Sequence, residues 1–195
     1  SDDLENWSRI GLDISDGRSQ QSIAQLIVVD EWLLAVGAGF SREGDESGIT
    51  DAVVWRSDDN GRTFERVMVE REAGIVSAVL VDGVLWAVGF FDVDGFRAGQ
   101  LWRSDDAGAT WSATDPEASP SPGAPPLRVG PLQSLVEWDG SLIAVGSRAT
   151  TDPQGGDRLL PTEVYSNQDF GTSIPSDIGI WYSDDGGVQW NGTRP

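Results

Sequence analysis

The sequence contains neither histidine nor cysteine. The commonest general base, the commonest zinc ligand, thiol nucleophiles and disulfides are therefore all excluded. Any catalysis would have to run on carboxylates, tyrosine, serine, threonine or arginine. Residues of these types gather in three stretches that read as loops, 40–51, 90–98 and 147–177. The first carries Arg42, the second Asp92, Asp94 and Arg97, and the third Arg148, Arg158 and Tyr165. Asp92-Val93-Asp94-Gly95 places hard oxygen ligands at alternate positions, a spacing that can hold Ca²⁺. Gln100 and Leu101 do not supply the later ligands of an EF-hand loop, and a solvated turn accounts for the same residues. No other cofactor and no metal site is expected.

The charge balance narrows the partners. Thirteen basic residues, all arginine, face 32 acidic ones, a formal net charge of −19. Such a surface repels phosphate backbones, so nucleic acid and anionic membranes are poor partners. Cations, cationic proteins and neutral sugars stay open. The charge also fits plain solubility. A hydrophobic content of 38% is too high for a disordered chain. No apolar run approaches the ~18 residues of a membrane-spanning helix, so no membrane insertion is expected.

The elements that must position these residues come in repeats. Leu26–Gly37 followed by Ala52–Val67 aligns with Ala78–Gly89 followed by Gly99–Thr114, and with Gln133–Gly146 followed by Ile178–Thr193. Each unit reads as four short strands. A first strand runs to a turn at Asp30-Glu31, Asp82-Gly83 or Asp139-Gly140, and Asp-Gly between apolar runs is a hairpin signal. A second strand ends in Ala-Val-Gly. A variable loop leads to a third strand, and a tight turn to a fourth. Four antiparallel strands per ~45 residues is the pattern of a β-propeller blade.

The units are expected at 25–67, 76–114 and 132–193, the last with a long insertion over 147–177. Ser1–Trp7 reads as a degenerate, shorter copy of the tight turn, so 1–14 would be the last strand of a preceding blade. Three blades and one strand fall short of the four to eight that close a ring. The remainder is expected from further blades in a parent chain or from a homodimer.

The tight turns carry a motif. Ser57-Asp58-Asp59-Asn60-Gly61-Arg62-Thr63-Phe64 and Ser104-Asp105-Asp106-Ala107-Gly108-Ala109-Thr110-Trp111 resemble the Asp-box, Ser-x-Asp-x-Gly-x-Thr-Trp. Ser183-Asp184-Asp185-Gly186-Gly187-Val188-Gln189-Trp190 fits with Gln189 in place of threonine. The chain is thus similar, over nearly all its length, to the Asp-box (BNR) repeat β-propeller family, which includes sialidase-like and other glycoside-hydrolase-like proteins. The aspartates Asp59, Asp106 and Asp185 suit hydrogen bonds to backbone amides two residues on. Gly61, Gly108 and Gly187 suit positive φ. Ser57, Ser104 and Ser183 can bond back across the hairpin, and Phe64, Trp111 and Trp190 can turn into the blade. These acidic residues read as structural staples.

The family spans many functions, so the fold does not choose among them. The resemblance to sialidases would put Arg42, Arg97 and Arg148 on a substrate carboxylate and Tyr165 in the nucleophile's place. Against that, the sialidase Phe/Tyr-Arg-Ile-Pro motif is absent, and Tyr182 sits beside a tight turn, at the other end of the blade. The favoured expectation is a non-catalytic module that binds a protein or glycan through its long-loop face, at Arg42, Asp92, Asp94, Arg97, Arg148, Arg158 and Tyr165. A glycoside hydrolase and an inactive piece of a larger propeller are the alternatives. By resemblance the protein is secreted, periplasmic or on the cell surface. The tryptophans Trp55, Trp102 and Trp181, each two residues before a tight turn, read as packing between blades, as do Trp32 and Trp86.

Overall fold

The computed structural model describes residues 19–41, 49–93, 96–114, 129–148, 178–187 and 189–193. The expected strand over 1–14 and the insertion over 149–177 lie outside them. The described residues form twelve strands: β1 (Ser19–Val29), β2 (Trp32–Ser41), β3 (Ile49–Ser57), β4 (Glu65–Arg71), β5 (Ala73–Val81), β6 (Val84–Val93), β7 (Phe96–Ser104), β8 (Ser112–Thr114), β9 (Val129–Trp138), β10 (Ser141–Arg148), β11 (Ile178–Ser183) and β12 (Asn191–Thr193).

They make three antiparallel four-stranded sheets, β1-β2-β3-β4, β5-β6-β7-β8 and β9-β10-β11-β12, each a simple meander. The hairpins start where the sequence puts them. Asp30, Asp82 and Asp139 have φ near +50°, and Gly83 and Gly140 follow at +79° and +81°. Paired positive φ is what a two-residue hairpin with right-twisted strands demands.

The sheets stack face to face in chain order. One face of the first sheet, with Val29, Leu34, Val36 and Val54, packs on Ile75, Ala78, Leu85, Ala87 and Trp102 of the second. The other face of the second sheet, with Trp86, Val88 and Leu101, packs on Leu132, Leu135, Leu142, Ala144, Trp181 and Trp190 of the third. Three meander sheets stacked in this way are consecutive blades of a β-propeller. Each has a forward face turned to the next blade and a backward face turned to the one before. Trp102 and Trp181 are buried in these layers, and Trp55 is buried on the backward face of the first sheet beside Ala35, Val53 and Phe64, so packing is their role.

Two expectations about the strands are corrected. The second strands do not end at Ala-Val-Gly; β2 continues to Ser41, β6 to Val93 and β10 to Arg148. The glycine marks a bulge in the first strand opposite it. Register slips between Ile23 and Gln25, and between Ile75 and Ser77, against Gly37 and Gly89. The bulged strand presses its carbonyl onto the glycine: a Cβ on either would stand 1.9 Å from Ser22 O or Gly74 O. Glycine is needed there because backbone occupies the side-chain position.

Residues 68–75, which fall between the expected units, are strand as well, apart from Glu72. β4 runs to Arg71, and a single residue, Glu72 at φ +58°, separates it from β5. The first unit therefore spans 19–71 and abuts the second without a linker.

Candidate functional site

Connections alternate between the two ends of a meander. The β1–β2 and β3–β4 turns share one end of the first sheet, and the corresponding turns share it in the others. The β2–β3, β6–β7 and β10–β11 connections lie at the opposite end, with the blade-to-blade links.

The turn end is organised by its serine and aspartate. In the first sheet Ser57 Oγ accepts from the Gly61 amide (2.8 Å) and donates to Asp59 Oδ1 (2.8 Å). Asp59 Oδ1 also accepts from the Arg62 and Thr63 amides at 2.9 Å, and Oδ2 from the Thr63 hydroxyl at 2.7 Å. The second sheet repeats this with Ser104, Asp106, Gly108 and Thr110. The third does so with Ser183, Asp185, Gly187 and the Gln189 amide. The aspartate thus reaches amides three and four residues on, rather than two.

The serine closes the inner side of the turn, where it is buried. Four donors on one carboxylate favour its charged form. The Thr63 amide and hydroxyl, then Ser57, hold Asp59 down at about 2 against an ordinary 3.8. Asp106 is lowered as well, first by the Thr110 hydroxyl.

The glycine allows both a left-handed backbone and a close approach. Gly61, Gly108 and Gly187 have φ of +79°, +80° and +86°, and the residue before each is also left-handed: Asn60, Ala107 and Gly186. Trp111 and Trp190 fold back over the turn and donate to the carbonyls of Gly108 (3.2 Å) and Gly187 (3.1 Å). Phe64 has no donor and only packs, beside Ala35, Val53 and Trp55.

Arginines stack on tryptophans across the same end. The Arg56 guanidinium lies 3.6 Å from the Trp32 ring centre, and Arg103 lies 5.7 Å from that of Trp86. Arg103 also pairs with Asp105 at 2.5 Å. In the third sheet the position is Tyr182, which pairs with Ile143 and Asn191 across the strands.

The opposite end holds the expected binding residues only in part. Arg42, Asp94, Arg158 and Tyr165 lie outside the described residues. Asp92 and Arg97 are not on a long loop, as the sequence suggests. They are ladder partners in β6 and β7, whose hairpin has only residues 94 and 95 between its strands. Arg148 is on β10, opposite Val129. Arg97 on a third strand and Arg148 on a second are thus not equivalent, and the three arginines do not share one position in the repeat.

The same end carries charges that the sequence reading passed over. Asp51, near the start of β3, pairs with Arg71 across the ladder, and Glu72 follows in the turn. Among the described residues, one Asp51 carboxylate oxygen, Oδ1, is buried without a hydrogen-bond partner. Asp51 precedes the apolar run that defines β3, so nothing in its spacing separated it from a loop edge. Among the described residues, no group of three His, Cys, Asp or Glu side chains is placed to hold a metal. No described helix is long and apolar enough to cross a membrane.

No protein-family model and no curated protein matches the chain. Among solved structures it is similar to the Bombyx mori GH32 beta-fructofuranosidase, with a TM-score of 0.46 and 13% identity over 91% of this chain and 36% of that one. It is similar to a mutant of that enzyme in complex with sucrose, at 0.48 and 15% over 87% and 35%. The Penicillium chrysogenum alpha-L-arabinanase complexed with arabinobiose gives 0.46 and 17% over 89% and 53%. The chain spans between about a third and about half the length of these proteins.

Proposed function

We infer that this chain is an Asp-box propeller segment that works as a binding module without catalysis, engaging a protein ligand at the end opposite the Ser-Asp turns. One observation carries the reading: the carboxylates of the repeated turns are spent on their own backbone. Asp59 and Asp106 each use both oxygens within the turn, so the most regular acidic residues are occupied structurally. That leaves recognition to the other end, where Asp51, Arg71, Glu72, Asp92 and Arg97 stand at strand ends. The net charge of −19 favours a partner with a basic surface, steered in by the field of the whole domain. Such a role suits a protein working outside the cytoplasm.

The test pairs binding with turnover. The purified chain is titrated against a panel of basic proteins and a glycan array, and incubated in parallel with fluorogenic glycosides. The expected result is saturable protein binding that weakens with salt and is lost in Asp51→Arg, with no glycoside turnover. Turnover abolished by Tyr165→Phe, or by paired replacement of Asp92 and Asp94, would establish a glycoside hydrolase instead.

A further inference from the structure

The backward face of the first sheet is covered in one part and bare in another. On its middle strands Ala35, Val53 and Trp55 are fully buried within the single chain. Among the described apolar residues, Phe64 alone packs on them. Trp55 Nε1 is buried with no acceptor among the described residues. On the first strand of the same face, Ile23, Leu26 and Val28 are 45%, 56% and 69% exposed. The cover therefore belongs to this chain, lies over β2 and β3 but not β1, and comes from outside the described residues.

The junction between the first two sheets shows what covers the equivalent positions there. Trp102 is the counterpart of Trp55, and the fourth strand of the leading sheet reaches it. The Trp102 indole donates to Glu70 Oε2 of β4, and Val67 of β4 joins the apolar layer around it. The counterparts of Ile23 and Leu26 are Ile75 and Ala78, both buried on β5. The strands lying against β5 are β1, β2 and β3. A fourth strand without the three before it would thus cover the indole and leave the first strand bare, which is the pattern on the first sheet.

The segment leading into β1 repeats the sequence of β4, which leads into β5. Trp7, Arg9, Ile10, Leu12 and Asp13 stand at the spacing of Phe64, Arg66, Val67, Val69 and Glu70. Trp111 is likewise followed by an acid six residues on, Glu117. Residues 42–48 cannot take this place. Trp55 lies six residues along β3 from Ile49, roughly 20 Å at about 3.3 Å per residue. Seven residues that return to their own sheet extend only about half that far. The insertion over 149–177 joins β10 to β11 of the third sheet, on the far side of the second.

We propose that residues 1–18 occupy this face, with 7–14 as a strand equivalent to β4, Ile10 over the apolar patch and the Asp13 carboxylate accepting from Trp55 Nε1. Asp13 then does for Trp55 what Glu70 does for Trp102.

Hydrogen exchange at the indole N–H groups of the intact chain, followed by NMR, tests the bond. Trp55→Phe and Trp102→Phe assign the two signals. Asp13→Ala is expected to speed exchange at Trp55 by about tenfold or more and to leave Trp102 unchanged. Glu70→Ala should do the reverse, and each unaffected indole verifies that the fold is kept. Unchanged exchange at Trp55 in Asp13→Ala, with Trp102 responding to Glu70→Ala, overturns the proposal. Position is read separately. The chain has no cysteine, so Ser8→Cys takes a single nitroxide label. It is expected to broaden the amide signals of Val53 and Trp55 and to spare those of Ala144 and Trp181. No broadening at Val53 and Trp55 overturns the proposal. Broadening there from a label at Asp157→Cys instead overturns it too, and assigns the cover to the insertion.

Discussion

Gly108, in the β7–β8 turn of the second sheet, lies directly on Leu34 of the first. A Cβ there would stand 2.2 Å from Leu34 Cδ2. Leu34 is fully buried and cannot swing aside without repacking the layer. The glycine is therefore held by two demands at once, its φ of +80° and the neighbouring sheet.

Gly108→Ala separates these demands when compared with Gly83→Ala. Gly83 has nearly the same φ, +79°, but nothing within 4 Å of its would-be Cβ. Gly83→Ala is expected to lose only the left-handed preference, about 1–2 kcal/mol. Gly108→Ala adds overpacking of about 1–3 kcal/mol. Urea unfolding of the two variants measures the difference; equal losses would mean that the contact with Leu34 has no energetic weight.

Acid should weaken the first turn in a defined window. The carboxyl of Asp59 is held at about 2, below its ordinary 3.8, so its charged form favours the folded state. The stabilisation is complete above about pH 4 and is lost as the pH falls from there towards 2. Asp59→Asn keeps one acceptor oxygen but removes the charge. Melting temperatures of variant and wild type are expected to differ at pH 6 and converge towards pH 2. Curves that stay parallel down to pH 2 would disprove this role for the charge.

The repeat makes the blades legible in the sequence alone. Three copies of an apolar pair of strands and a Ser-Asp turn specify a meander, because the hairpin glycines and aspartates fix where the chain reverses. What the sequence hid was the length of the strands. Gly37 and Gly89 look like strand ends, since glycine weakens a strand, but here each answers a bulge that brings a carbonyl against its Cα. The same misreading turned the strand ends around Asp92, Arg97 and Arg71 into loops. Of the expected binding residues, Asp92 and Arg97 are brought opposite each other, and Arg148 stands on another sheet. Asp51 was missed because its burial follows from the tertiary packing of β3 rather than from any local pattern.

An indole–carboxylate bond should couple the first two sheets. Trp102 Nε1 donates to Glu70 Oε2 of β4, whereas Trp55 Nε1, at the same position of the first sheet, is buried with no acceptor among the described residues. Trp102→Phe is expected to lose the ~1.5–3 kcal/mol of a hydrogen bond to a charged group. In a cycle with Glu70→Ala, the Trp102 and Glu70 losses should be non-additive by a similar amount. Additive losses would show that the bond carries no net stability.

Gln25 offers the sharpest probe of how the inner strands are joined. Its side-chain amide meets both polar groups of Ala78, Oε1 taking the N–H and Nε2 giving to the C=O. β5 is the edge strand of its sheet, so these groups depend on Gln25 for partners. Gln25→Ala leaves both unpaired and is expected to cost about 1–3 kcal/mol. Gln25→Glu is nearly isosteric, yet its carboxylate faces the Ala78 carbonyl and repels it. Protonating that carboxyl restores a donor, so Gln25→Glu should approach wild-type stability near pH 4 and fall away by pH 7, opposite in sign to the effect of Asp59. Hydrogen exchange at the Ala78 amide reports the bond directly: protection should drop in Gln25→Ala, while that of Ala87, its cross-strand neighbour, changes little. A loss of protection shared equally by both residues would mean that the sheet itself has loosened, and that Gln25 acts on the blade rather than on the junction.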